Sequence, residues 1–287
     1  MLEKFDQFRP KPLYPTYPPY HQGLYLEDYF CDWFHRNNIE TERKFIPVSW
    51  TTCYIDKKTN GLQEALDSLN PNDKYFVVSQ FDDGILENLP PDTIHFSAGG
   101  NKGGVPIPLV CSSMYHPLLV CPNKVPLENK NLLCSFVGSV THPIRSKVYE
   151  SMKDSPNCSF HLKDWNPEVS NQDQSIFVNI STRSKFVLCP RGYGLNSFRL
   201  YECFQLGSVP VIITDKFFLP WSDELDWNEF AVLIHEDMIP EIYNVLSSID
   251  DEHYQRMLDR GMELYKNYFT LSGVCSQIIR RLLNEIE

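Results

Sequence analysis

Residues 184–227, SKFVLCPRGYGLNSFRLYECFQLGSVPVIITDKFFLPWSDELDW, confine the chain to a small set of folds. Phe186 to Cys189 is a short apolar run, and Arg191-Gly192-Tyr193-Gly194 reads as a glycine-bearing turn. Leu200, Cys203, Phe204 and Gly207 then recur at helical spacing, which predicts a helix packed along one face. Asn196 or Ser197 is placed to cap its start, and Gly207 suits a left-handed stop at its end. Val209 to Ile213 is β-branched enough for a strand buried on both faces of a parallel sheet. Strand, turn, helix and strand in that order make half of a doubly wound sheet. Ligands of such sheets bind outside the carboxyl ends of the strands.

The polar residues of this unit point to an anionic ligand. A helix N-terminus after a glycine turn offers free backbone N–H groups and partial positive charge, which suit a phosphate. Arg199 and Glu202 lie three residues apart and share a face of the helix. On a nucleotide they divide the work: Arg199 meets a diphosphate, and Glu202 accepts two hydrogen bonds from a ribose diol. Charge-assisted bonds of this kind contribute about 1.5–3 kcal/mol each. Spacing alone leaves a plainer alternative open, an exposed Arg–Glu pair worth under about 1 kcal/mol.

The rest of the chain reads as two α/β halves. Leu24–Asn37 and Leu62–Leu69 have helical spacing, and Phe45–Tyr54, Tyr75–Ser79, Thr93–Ser97 and Val105–Val110 read as strands. The proline-rich stretch 9–20 predicts an extended arm, and 99–130 mostly loop. A second series follows: strands at Leu132–Val137 and Cys158–Leu162, and helices at Ile144–Lys153 and Asp173–Ser184. After the central unit come a strand at Phe230–Ile234, a helix at Ile239–Leu246 and a largely helical Asp251–Ile286. The expected domains are 1–128, 129–250 with the nucleotide site, and 251–287 as helices reaching back to the first half.

A net charge of −11 argues against nucleic acid or an anionic membrane as the main partner. No stretch approaches the ~18–20 continuous apolar residues of a membrane span. The initiating Met1 and nine cysteines, an odd number without close pairs, favour a reducing, cytoplasmic setting. The histidines show no H-x-x-x-H spacing, the cysteines are unpaired in sequence, and no G-x-S-x-G elbow occurs. Metal hydrolases and serine hydrolases are therefore disfavoured.

The ordered series F-x-L-C-P-x-G-x-G-x-x-S-x-R-x-x-E, G-S-V-P-V-I-I-x-D, L-P-W and L-D-W resembles the exostosin family of inverting glycosyltransferases. Phe136-Val137-Gly138 followed by Arg145 is similar to the family's F-x-G…R motif. The likeness is dense over 132–245 and thin before 130. It implies a GT-B fold, two Rossmann-like doubly wound α/β domains facing each other across a cleft. It further implies a UDP-sugar as co-substrate, a glycan acceptor and no metal, in keeping with the absence of any D-x-D. Arg145, Asn196, Ser197 and Arg199 are then expected at the diphosphate, Glu202, Gly192 and Tyr193 at the nucleotide, and Asp215 at the donor sugar. Arg145 as a surface residue in the first turn of a helix is the plainer alternative.

Inversion needs a general base on the acceptor side. Asp82 follows a strand and corresponds loosely to the aspartate of an H-D-W-G-like segment of plant members, whose His and Trp are absent here. Asp56, expected after another strand, and His21 are its rivals. The compact form resembles the exostosin-like enzymes of large algal DNA viruses, the chloroviruses, which implies UDP-xylose and a β-linked product. A noncatalytic nucleotide- or glycan-binding protein on the same fold is the competing class.

Overall fold

In a computed structural model, the structure describes residues 3–9, 25–110, 125–166 and 169–284. The chain forms two compact units, 1–111 with 267–287, and 112–266. Each contains one parallel sheet, so the protein is mixed α/β with two parallel-strand sheets.

The first unit begins with a 3-10 turn, Glu3–Phe8, whose Phe5 and Phe8 are buried in its core. Helix α1 (Leu26–Arg36) buries Leu26, Glu27, Phe30 and Cys31. Strand β1 (Lys44–Phe45), helices α2 (Trp50–Ile55) and α3 (Leu62–Asp67), and strands β2 (Tyr75–Ser79), β3 (Ile94–Ser97) and β4 (Val105–Pro106) follow. The sheet order is β1-β2-β3-β4, parallel throughout, with Phe45 opposite Phe76 and Phe76 opposite Ile94. Phe30 packs edge-on against Phe45 at 5.1 Å and Phe76 at 6.0 Å, which holds α1 against the sheet.

Two expectations fail in this unit. The stretch 45–54 is not one strand: pairing stops at Phe45, and Trp50–Ile55 is helical. The strand pattern came from β-branched and aromatic residues, whereas a buried Glu27 carboxylate accepts from Thr51 N at 2.5 Å and caps the helix. The strand expected at Val105–Val110 ends at Pro106, because Pro108 has no N–H to continue a ladder. Residues 10–24, with most of the expected arm and His21, lie outside the described residues.

The second unit holds β5 (Leu132–Ser139), α4 (Pro143–Met152), β6 (Cys158–Lys163), α5 (Asn171–Thr182), β7 (Ser184–Pro190), α6 (Phe198–Gln205), β8 (Val209–Thr214) and β9 (Val232–His235). The strands lie in the order β6-β5-β7-β8-β9, again all parallel. The order reverses between β5 and β7, which makes that junction the switch point of the sheet. Helix α6 ends as the glycine predicts. Gly207 has φ +69°, its N–H donates to Phe204 O, and Ser208 N–H donates to Cys203 O.

The core of this unit joins Phe136, Phe186, Leu188, Val209, Val211 and Ile213 of the sheet to Ile144 and Val148 of α4. A 3-10 turn at Glu236–Glu241, which contains Pro240, precedes α7 (Ile242–Ser248). Helix α8 (Asp251–Tyr268) runs over the sheet, with Tyr254 edge-on to Phe186 at 5.4 Å. The helical tail breaks at Phe269–Thr270, and α9 (Leu271–Asn284) packs on α1 within the first unit.

Candidate functional site

The switch point between β5 and β7 is lined by arginine. Arg145, in the first turn of α4, is only 8% exposed. Its Nη1 donates to Ser139 O at 2.7 Å, and its Nε donates to Arg191 O at 3.1 Å and Pro190 O at 3.3 Å. Its guanidinium therefore fastens the end of β5 to the turn after β7, and it is no surface arginine. A Cβ on Gly192 would sit 3.0 Å from Arg145 Nη2 and 3.2 Å from Thr141 Oγ1, so a glycine there lets the turn close over the guanidinium.

Arg199 approaches the same place from α6. Its guanidinium lies 4.6 Å from the centre of the Phe136 ring and donates from Nη2 to Val137 O at 2.6 Å. Nε and Nη1 are buried and have no hydrogen-bond partner among the described residues. One turn on, Glu202 is 7% exposed, and its carboxyl makes no hydrogen bond or ion pair with any described residue. Burial pushes its carboxyl up to about 7, and Arg199 offsets only part of that rise. One face of α6 thus presents a cation with unpartnered nitrogens and an unpaired carboxylate. Buried groups of that kind are costly when unpartnered, which makes this face the candidate ligand site.

Capping of α6 differs from the expectation. Ser197 occupies the cap position, but its side chain makes no capping bond. Asn196 does not cap the helix either. Its Oδ1 accepts from Ser197 N at 2.9 Å and Tyr201 OH at 3.0 Å, which shapes the turn before the helix. Asp215, at the end of β8, accepts from Arg191 Nη1 at 2.7 Å. Burial works to raise the Asp215 carboxyl, and the bond from Arg191 outweighs it and holds the group below its usual range. Arg191 Nη2 donates to Tyr193 O, and the Tyr193 side chain is 59% exposed.

The first unit carries the base candidates. Asp82 lies in the turn after β2, at the carboxyl edge of the parallel sheet, and its carbonyl accepts from Asn101 N at 3.0 Å. A Cβ on Gly99 would collide with the backbone of Phe81 and Asp82, so this turn rests directly on the chain after β3. Asp56 does not follow a strand. It ends α2 and pairs with Lys58 at 2.8 Å, since 45–54 is not one strand. Among the described residues, no group of three His, Cys, Asp or Glu side chains could hold a metal ion.

Several functional neighbours went unread in the sequence. Phe136 was visible only as part of a motif, not as the surface beneath Arg199. Arg191 was visible only as a turn residue, although it ties down both Asp215 and Tyr193 O. Glu27, 2% exposed, accepts from Thr51 N and, at 2.8 Å, from Gln80 N, two residues before Asp82. Burial raises its carboxyl far above the usual range, and the neighbouring Asp28 adds to the rise. A charge at the start of an amphipathic helix gave no sign of being buried.

Residues 83–249 match the Exostosin GT47 domain, more than half of the chain. The chain belongs to the exostosin GT47 family of glycosyltransferases. A probable glucuronosyltransferase of Oryza sativa subsp. japonica is 36% identical to this family member over 115 residues, 40% of the chain and 25% of the relative. An exostosin-1 homolog of Caenorhabditis elegans is 32% identical over 120 residues, 40% of the chain and 31% of the relative. A probable glycosyltransferase of Arabidopsis thaliana is 28% identical over 141 residues, 49% of the chain and 26% of the relative. The chain thus aligns with about a quarter to a third of these relatives' length. No helix among the described residues is long and apolar enough to cross a membrane.

Proposed function

We propose that this GT47 member transfers a sugar from a UDP-sugar to a hydroxyl of a glycan acceptor, with inversion and without a metal. The observation that carries the reading is the α6 face, where Arg199 has unpartnered buried nitrogens and Glu202 is buried and unpaired. Arg199, with the helix N-terminus beside it, meets the diphosphate, and Glu202 accepts from the ribose hydroxyls. Arg145 adds positive charge at the switch point while it holds the turn. Charge on the leaving diphosphate is thereby stabilised without a cation in solution.

On the acceptor side, Asp82 takes the proton from the attacking hydroxyl. That oxygen bonds to the anomeric carbon as the bond to the diphosphate oxygen breaks, and a one-step displacement inverts the centre. The two units would face each other across a GT-B cleft to bring these groups together, and the protein would act in the cytoplasm. Xylose is the sugar we put forward, by likeness to algal-virus enzymes. The name of the rice relative sets glucuronic acid beside it.

Thermal denaturation across a panel of nucleotide sugars, including UDP-xylose and UDP-glucuronic acid, tests the reading, because a ligand of the folded state raises Tm. Transfer to candidate glycans, or donor hydrolysis, then separates an enzyme from a binding protein. Activity should survive EDTA. Loss with chelator and recovery with manganese would refute the metal-free mechanism, and a panel without any stabilising nucleotide sugar would refute the nucleotide site.

A further inference from the structure

Trp165, at 63%, is the most exposed large apolar side chain among the described residues. A single exposed apolar residue is unremarkable, but this one is placed and tethered. It follows β6 at the carboxyl edge of the sheet, next to β5 and hence beside the switch point. Asp164 O, one residue before it, accepts from Ser139 Oγ at 3.2 Å. Ser139 O in turn accepts from Arg145 Nη1. At the end of β6, Lys163 pairs with Asp173 in the first turn of α5 at 2.9 Å. The Trp165 segment is therefore linked through two residues to the Arg145 guanidinium.

The Arg199 guanidinium sets where a diphosphate would lie along this crevice. Arg199 reaches toward β5, where it meets Phe136, Val137 and Gly138, and not toward β8. Glu202 lies one turn along on the same helix face. Gly138 and Ser139 pair with Leu162 and Lys163 of β6, so a nucleotide whose diphosphate meets Arg199 at Val137 and Gly138 lies beside the segment that carries Trp165. Tyr193, Arg191 and Asp215 stand on the β7–β8 side, where the donor sugar would lie.

We infer that the Trp165 indole, and not Tyr193, is the platform on which the nucleobase of the donor stacks. The inference rests on the nucleotide reading of the α6 face. An aromatic platform accepts a base through its π-face, and removing one typically weakens binding about 5- to 150-fold.

Calorimetric titration of wild type, Trp165→Ala, Trp165→Phe and Tyr193→Ala with UDP and with pyrophosphate tests this. Pyrophosphate keeps the phosphates and lacks the base. Trp165→Ala should weaken UDP at least ~5-fold and leave pyrophosphate unchanged, while Trp165→Phe stays near wild type. UDP, but not pyrophosphate, should quench the intrinsic fluorescence of wild type, and the quench should vanish in Trp165→Phe. Melting curves confirm that these exposed substitutions leave the fold intact. If Trp165→Ala binds UDP like wild type, or if Tyr193→Ala takes the loss instead, the assignment is overturned and the nucleotide site stands. If wild type binds neither UDP nor pyrophosphate, the nucleotide site falls as well.

Discussion

Arg199 lies flat against Gly138. A side-chain carbon built on that glycine would fall well inside contact distance of Arg199 Nη2, the atom that bonds Val137 O. The hydrogen at Gly138 is thus what admits the guanidinium to the surface of β5, and strand and helix meet through a cation with no side chain between them.

Gly138→Ala should separate function from stability. The atom in the way is the far end of a flexible side chain, so Arg199 yields and the strand does not. Tm should stay close to wild type, while UDP affinity falls about as far as in Arg199→Lys, which lacks the planar fork. About 1–3 kcal/mol of binding is at stake. A large drop in Tm with unchanged affinity would contradict this account.

Gly261→Ala should do the opposite. A Cβ there would run into the ring of Phe204, which is buried and packed against Phe230 at 6.1 Å and Tyr265 at 6.4 Å. The ring has no room to retreat. Overpacking of this kind costs about 1–3 kcal/mol, read as a shift in denaturation midpoint. Whatever protein remains folded should bind UDP nearly normally.

Glu202→Gln should stabilise the free protein and weaken its ligand. The Glu202 carboxyl is raised from its ordinary 4.5 to about 7 by burial. The stability tied to its neutral form is complete below the unfolded value and is lost as pH rises through about 7. At pH 8 the amide escapes that loss, so the variant should melt higher than wild type by the equivalent of about 1–3 kcal/mol. UDP should bind it more weakly by a similar amount, since the anion that accepts both ribose hydroxyls is gone. Wild-type affinity for UDP should also increase from pH 6 to 8 more steeply than the variant's. A variant that is less stable at pH 8 would assign Glu202 a structural role.

Asp82→Asn should leave UDP affinity intact and reduce transfer by at least the ~10²-fold expected on removing a general base. Asp83→Asn should matter less, because Asp83 already accepts from Asn101 Nδ2 at 3.0 Å. Steady-state rates of the two variants, beside Asp56→Asn and His21→Ala, decide among the candidates. Near-normal transfer by Asp82→Asn would move the base elsewhere.

Elements whose signals are local were legible in the sequence. The left-handed Gly207, the shared face of Arg199 and Glu202, and the buried strands of 186–213 follow from spacing and residue type alone. The misreadings arose where distant residues override local preference. Trp50–Ile55 has strand composition, yet it coils because a carboxylate some two dozen residues earlier takes its first N–H. Arg145 could not be placed from spacing, since the carbonyls that hold it come from β5 and from the turn after β7. The Arg191 that holds Asp215 at 2.7 Å across one strand pairing is likewise invisible to spacing.

The first unit is not contiguous: α9, the final helix described, closes on α1, while residues 112–266 between them form the other unit. During synthesis the second unit can complete its sheet and core first, although it comes later in the chain. The earlier one must wait with the side of α1 that α9 covers exposed until residues beyond 270 emerge. Such a delay exposes apolar surface to association with other chains. A truncation near residue 268 should therefore spare the arginine-lined half and leave the half that carries Asp82 open. The order of birth along the chain is the reverse of the order of completion.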